Sequence, residues 1–153
     1  MKFTCNKSDI NEAINIVLKA VPGKTTMPIL ECVVIEAADN ELKLTTNDMS
    51  LGIETRFSAN VEEEGIILVN AKMISEIIRK LPDEDVYFEA DSNENILLFC
   101  GKAKFNLSGK NHEEFPMLPK IEKEKKIVIS QFTLKEMIRQ TIFSISNNKK
   151  VQV

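Results

Sequence analysis

The 153 residues are 43% hydrophobic and 28% charged with a net charge of −3, an ordinary globular balance that allows one core and the beginning of another. No apolar run approaches the roughly 18 residues that span a bilayer and no charged-then-apolar leader pattern opens the chain, so an intracellular, cytoplasmic location with no membrane partner is the expectation. Cys5, Cys32 and Cys100 are odd in number and set inside apolar strand-like patterns, which reads as reduced core thiols rather than a disulfide or metal set.

In chain order, residues 2–5 read as a short strand. Asp9-x-x-Glu12 then has the form of a helix start, the Asp9 carboxylate accepting from first-turn donors and Glu12 reaching back. Ile10, Ala13, Ile14, Val17, Leu18 and Val21 follow the helical period until Pro22-Gly23 stops it. Residues 29–37 and 41–47 form strands about the turn residues Asp39-Asn40. From Leu51 to Val61 apolar and polar residues alternate without interruption, which implies a sheet with one buried and one solvated face.

The order then repeats. Residues 66–69 are a strand and Asn70 opens a helix with Met73, Ile74, Ile77, Ile78 and Leu81 inward, Lys72, Ser75, Glu76, Arg79 and Lys80 outward, and Pro82 as its stop. Strands at 85–90, 96–100 and 103–108 follow, the first two joined through Ser92-Asn93-Glu94-Asn95. Residues 109–126, with Gly109, Pro116, Pro119 and the run KIEKEKK, carry no period and read as a linker. A strand at 126–130 and a helix announced by Thr133-x-x-Glu136 and running over 134–145 begin a third round.

The helix starts Asp9, Asn70 and Thr133 lie roughly 60 residues apart, a period that marks a copied supersecondary unit. The expected fold is α+β: two β-α-β-β-β half-domain repeats with helices on one face of antiparallel sheet, plus the first strand and helix of a further repeat. Residues 1–120 form one domain, 121–126 a linker, and 127–153 the truncated beginning of a second.

His112, the only histidine, sits beside Glu113 and Glu114 with no nucleophile or orienting acid indicated, so an enzyme has almost no residues to stand on. The runs Glu62-Glu63-Glu64 and Asp83-Glu84-Asp85 read as solvated turn charge, without calcium-loop spacing. Sorted by element, the helices and their exits are basic while the strand-and-loop remainder is acidic, an asymmetry hidden by the net charge. Lys72 and Arg79 lie two turns apart on one helix face, Lys135 and Arg139 one turn apart on another, and Lys24 follows the first helix. With no Trp and one Tyr, the chain lacks the aromatic platform of single-strand binders, and most Phe residues fall in strand patterns. Long cations without aromatic partners suit contacts to duplex phosphates. The alternative is a non-catalytic protein-interaction scaffold that binds partners through its sheets without DNA.

MKFT at 1–4, PGKTTMPIL at 22–30, LTTND at 44–48, AKMISEIIRKLP at 71–82, KAKFNLSG at 102–109 and EEFPMLP at 113–119 resemble, in order and in register, the bacterial DNA polymerase III beta subunit family, the sliding clamps. The resemblance implies a DNA-clamp-like fold and a head-to-tail homodimer ring of three-domain subunits with helices lining the hole. Such a ring encircles double-stranded DNA as a processivity factor and tethers the DNA polymerase III catalytic subunit after a clamp loader opens it, with no chemistry and no cofactor. It also implies DNA contacts at Lys24, Lys72, Arg79, Lys135, Arg139 and Asn148, and a subunit interface at Ile74, Ile77, Lys102 and Phe105, where the strand at 103–108 extends a sheet across two chains. The sequence KKVQV at 149–153 departs from the aromatic loop of some members. The family's pocket for polymerase peptides belongs to later domains. A stub at 127–145 is expected to expose an apolar helix face, and so to recruit a second chain or be poorly ordered.

Overall fold

The computed structural model describes residues 1–119 and 127–145, and the chain divides into two units, Met1–Leu118 and Pro119–Val153. Strand β1 (Lys2–Asn6) runs directly into helix α1 (Lys7–Val17). The helix cap is Asn6, whose side chain accepts from Ser8 N, not Asp9, which sits inside the first turn. A carboxylate there still meets the positive end of the helix dipole, which is why Asp9 resembles a cap in sequence. A short 3-10 turn, Leu18–Ala20, ends the helix.

After a loop and a second 3-10 turn (Pro28–Glu31), strands β2 (Cys32–Ala38), β3 (Glu41–Asn47) and β4 (Gly52–Ser58) form a meander. Asp39 and Asn40 both take positive φ, 51° and 59°, as a tight turn between right-twisted strands requires. The alternation from Leu51 to Val61 hides a corner: β4 stops at Ser58, and β5 (Asn60–Glu63) pairs with a different sheet. Ala59 N donates to Asn40 O at 2.9 Å at that corner. Glu62 and Glu63 therefore lie in a strand and not in a turn.

Strand β6 (Gly65–Asn70), helix α2 (Ala71–Lys80) and strands β7 (Asp85–Ala90), β8 (Asn95–Cys100) and β9 (Ala103–Ser108) repeat the order of the first half. All pairings are antiparallel, in two sheets ordered β5-β1-β7-β8-β9 and β4-β3-β2-β6. Each half thus places its opening strand in the other half's sheet: β1 beside β7, and β6 beside β2. That exchange locks the two repeats into one core, because neither sheet is complete without the other half.

The core fills the space between the inner sheet faces and the two helices. Ile10, Ala13, Ile14 and Val17 of α1 and Ala71, Ile74 and Ile78 of α2 meet Val33, Ile35, Leu42, Leu44 and Val69 of one sheet and Phe3, Val86, Phe88, Ile96 and Leu98 of the other. The Phe3 and Phe88 rings stack across β1 and β7 at 4.8 Å. Thr46, fully buried, keeps its hydroxyl satisfied by donating to Val17 O at 2.6 Å, tying β3 to the end of α1. Cys5, Cys32 and Cys100 are free and buried, and burial pushes the Cys5 thiol up to about 12.

Residues 109–118 are not a linker. Phe115 is 4% exposed and forms a second apolar cluster with Cys32, Val34 and Leu68 on the outer face of the β4-β3-β2-β6 sheet. This explains why Cys32, Val33, Val34 and Ile35 are buried in succession: both faces of β2 are covered. Residues 121–126 lie outside the described residues. Not all aromatic residues are core, either. Tyr87 and Phe99 stack at 4.4 Å on an outer sheet face, with Phe99 39% exposed.

In the second unit, helix α3 (Gln131–Thr141) is capped by Ser130, whose Oγ accepts from Thr133 N at 3.0 Å, so the helix starts before Thr133. A 3-10 turn, Ile142–Ser144, follows. Residues 127–130 form no strand, contrary to the pattern, because a ladder needs a partner and none is present among the described residues. Among the described residues no helix is long and apolar enough to cross a membrane.

Candidate nucleic-acid interface

Helix α2 is built to show one face. Asn70 Oδ1 accepts from Met73 N at 3.0 Å and fixes the start. Ala71, Ile74 and Ile78 turn inward and set the helical phase, which leaves Lys72, Glu76, Arg79 and Lys80 exposed. Arg79 and Lys80 occupy the last turn, where the negative end of the helix dipole favours cations, so helix stability alone accounts for them. Lys72 has no such account. It lies in the first turn, at the positive end of the dipole, where a cation is disfavoured.

Helix α1 packs against α2, but its outward side is not uniformly basic: Asp9, Glu12 and Asn15 are exposed along with Lys19. The positive charge of the first half sits instead at the exit, where Lys24 is exposed in the loop before Pro28–Glu31. Thr25 Oγ1 accepts from Met27 N at 3.0 Å and shapes that loop.

The cations divide by partner. On the outer sheet faces Lys2 meets Glu62 at 2.7 Å, Lys43 meets Glu36, and Arg56 meets Glu54 at 3.0 Å. The hydrogen bond to Glu62, with the Tyr87 hydroxyl adding to it, holds the Lys2 ammonium well above the usual lysine range. Among the described residues Lys24, Lys72 and Arg79 have no carboxylate at ion-pair distance. On α3, Lys135 is exposed, while Arg139 Nη2 is answered by Glu136 Oε2 at 2.8 Å. Asn148 lies outside the described residues. His112 lends its backbone carbonyl to Phe115 N at 3.0 Å, a turn-forming role.

The expected interface residues fare unequally. Ile74 is fully buried among core side chains, so the inward phase of α2 withdraws it from any second chain. Ile77 and Phe105 are half-buried, with one side against the core and one toward solvent. Lys102 is exposed in the turn after Gly101, which takes φ 53°. Met73, which the sequence pattern places inward, is 37% exposed one turn before Ile77 and takes the place of Ile74 as the accessible apolar residue of α2. Strand β9 pairs only with β8, so its other edge is free among the described residues.

The family model for the N-terminal domain of the DNA polymerase III beta subunit matches residues 1–119. The beta sliding clamp of Bacillus subtilis (strain 168) is 37% identical over 97% of this chain and 42% of its own length. That of Synechococcus elongatus is 34% identical over 100% of this chain and 41% of its own. Among solved structures, the Bacillus subtilis DNA polymerase sliding clamp superposes with a TM-score of 0.91 at 36% identity, covering 99% of this chain and 42% of that one. A protein from Eubacterium rectale ATCC 33656 assigned to the DNA polymerase III beta subunits superposes at 0.90 with 53% identity, covering 98% and 41%. The chain spans about two fifths of the length of the curated relatives it matches. With two exchanged half-domains, a sheet edge left open and a match running from the first residue to Pro119, the chain belongs to the DNA polymerase III beta subunit family.

Proposed function

We propose that residues 1–120 are the first domain of a sliding clamp, that 121–126 lead onward, and that 127–153 begin its second domain. The complete ring is a head-to-tail homodimer that encircles duplex DNA in the cytoplasm. It holds the DNA polymerase III catalytic subunit on the template after a clamp loader has opened it, and it does no chemistry of its own. Lys24, Lys72 and Arg79 supply weak phosphate contacts, and Lys135, Arg139 and Asn148 extend the set into the second domain. The free edge of β9, with Met73, Ile77, Lys102 and Phe105 around it, receives the neighbouring subunit.

The observation that carries this reading is the division of the cations. Lys24, Lys72 and Arg79 stand without a carboxylate at ion-pair distance among the described residues, so their field is open to a phosphate, whereas Arg139 must exchange Glu136 for one and contributes less. Such contacts hold DNA near the helices without choosing a register, because every phosphate step along the duplex is electrostatically equivalent. Topology then supplies the residence time: a closed ring leaves only when a protein interface opens. The acidic remainder of the surface repels the duplex from everywhere else.

Anisotropy of a short labelled duplex, titrated at several salt concentrations, tests the assignment. Replacing Lys24, Lys72 and Arg79 together by Ala lowers affinity and reduces the slope of log K against log salt by roughly 2–3, at ~0.9 for each phosphate no longer neutralised. An unchanged slope removes these residues from the DNA contacts. Salt-insensitive binding to protein partners with no duplex affinity in the unaltered chain favours the scaffold alternative.

A further inference from the structure

The segment after β9 crosses the outer face of the β4-β3-β2-β6 sheet from one edge to the other. At the β6 edge Leu68 and Lys110 exchange backbone hydrogen bonds of 3.1 and 2.9 Å. Phe115 then covers Cys32 and Val34 of β2. Asn47 Nδ2 of β3 donates to Pro116 O at 2.8 Å. Over β4, Leu118 lies so close to Gly52 that a Cβ there would fall 1.9 Å from its Cδ2. One strap therefore touches all four strands, yet it is tied by few hydrogen bonds and one buried ring.

Beneath it is a flaw. Thr45 lies on the same face, beside Val34 in the register and two residues before Asn47, and is 1% exposed. Among the described residues its Oγ1 is the buried side-chain oxygen without a hydrogen-bond partner. In the closed arrangement that hydroxyl is buried without a partner, an unfavourable state that hydration on opening of the outer face would relieve. The main core on the opposite face of the sheet shares none of this cost, since its buried hydroxyl, Thr46, is bonded.

We propose that residues 110–118 are a detachable strap that lifts from the sheet as a unit while the core beneath stays folded. Local openings of this kind cost less than global unfolding. On the reading of the chain as a clamp domain, release lets these nine residues extend to roughly 30 Å, at ~3.3–3.6 Å each. Across the four strands they span roughly 14 Å, so the connection to the next domain gains on the order of 15 Å of reach. That is slack a ring needs when it changes shape.

The cysteines supply a built-in comparison, because Cys32 lies under the strap while Cys5 and Cys100 lie in the main core. The chain is exposed to a thiol reagent across low urea concentrations, and each labelled cysteine is identified by peptide mass spectrometry. Cys32 reacts at least roughly tenfold faster than Cys5 and Cys100, with little urea dependence, as sub-global opening requires. Phe115→Ala brings Cys32 close to the rate of a free thiol while the other two stay protected. Thr45→Val, which removes the unpaired hydroxyl and leaves the ring in place, slows Cys32. Equal rates and equal urea dependence at all three cysteines overturn the proposal. They would leave the DNA assignment untouched, since that rests on the salt slope.

Discussion

The outer faces of the sheets and the outward face of α2 use the same cationic residues to opposite effect. On the sheets Lys2, Lys43 and Arg56 stand beside Glu62, Glu36 and Glu54, and of the cations within the strands only Lys104, on the free-edge strand β9, lacks such a partner among the described residues. On α2, Lys72 and Arg79 share their face with Glu76 and yet form no ion pair with it. The difference teaches that exposure alone does not mark a binding residue. What marks it is an exposed charge that neither a carboxylate nor the helix dipole accounts for, and by that measure Lys72 stands out more than Arg79.

The largest effect available separates the two sides of α2. Ile74→Ala leaves a cavity where a fully buried side chain stood, and it lowers stability by about 2–5 kcal/mol in urea titration. Met73→Ala, one residue earlier on the exposed side, changes stability by roughly 0.5 kcal/mol or less, and it weakens self-association in sedimentation if β9 and α2 form the subunit contact. Equal destabilisation by the two would mean that the helix does not turn Ile74 inward and Met73 outward.

A smaller effect sharpens the comparison of answered and unanswered charge. Lys43→Ala removes the partner of Glu36 and costs about 1 kcal/mol, with the salt slope of duplex binding unchanged. Lys72→Ala reduces that slope by ~0.9. It also raises stability by a few tenths of a kcal/mol, because alanine is the better helix former and a cation leaves the positive end of the dipole. A residue whose removal stabilises the fold and weakens DNA binding is retained for something other than folding. If both substitutions shift the slope alike, the division by ion pairing is irrelevant to binding.

Much of this is legible in the sequence, for reasons that differ by element. Helical period places the buried stripes of α1 and α2, and the spacing of the starts announces the repeat, because both are local signals. The cap of α1 is misplaced by sequence because Asp9 and Glu12 satisfy a local rule that Asn6 satisfies three residues earlier. The corner at Ala59 is invisible because an alternating pattern keeps its phase when a strand changes sheets. The strap has no period of its own: Phe115 is buried by a face that exists only once β2, β3 and β6 have paired. Ile74 and Met73 are both apolar residues of one helix, and only the phase set by Ala71, Ile74 and Ile78 tells core from surface. The DNA-contact positions follow from family resemblance and not from their environment. What sequence could not supply is which cations lack a partner, since Lys43 and Glu36 meet across strands.

The smallest effect concerns an anion answered by backbone alone. In the loop between β3 and β4 the Asp48 carboxylate accepts from Leu51 N at 2.6 Å and from Ser50 N at 2.8 Å. Those bonds favour the charged form, the one to Leu51 most, and hold the carboxyl below its ordinary value of 3.8. Because the folded value is depressed, the loop's contribution is complete above the unfolded value and fades as pH falls through the lower, folded one. Amide resonances of Ser50 and Leu51 therefore hold their native shifts to lower pH than an unperturbed carboxylate would allow, and lose them only as the depressed folded value is passed. Met49 makes the loop a sensitive reporter: it sits at φ 73° with its amide donated to Asn47 Oδ1, and Asn47 is also the side chain that holds Pro116. Asp48→Asn keeps an acceptor oxygen without the titrating charge, so the acid transition of these two amides disappears while their neutral-pH shifts change little. Loss of the loop at neutral pH in that variant would mean that charge, rather than the two accepted hydrogen bonds, holds the turn.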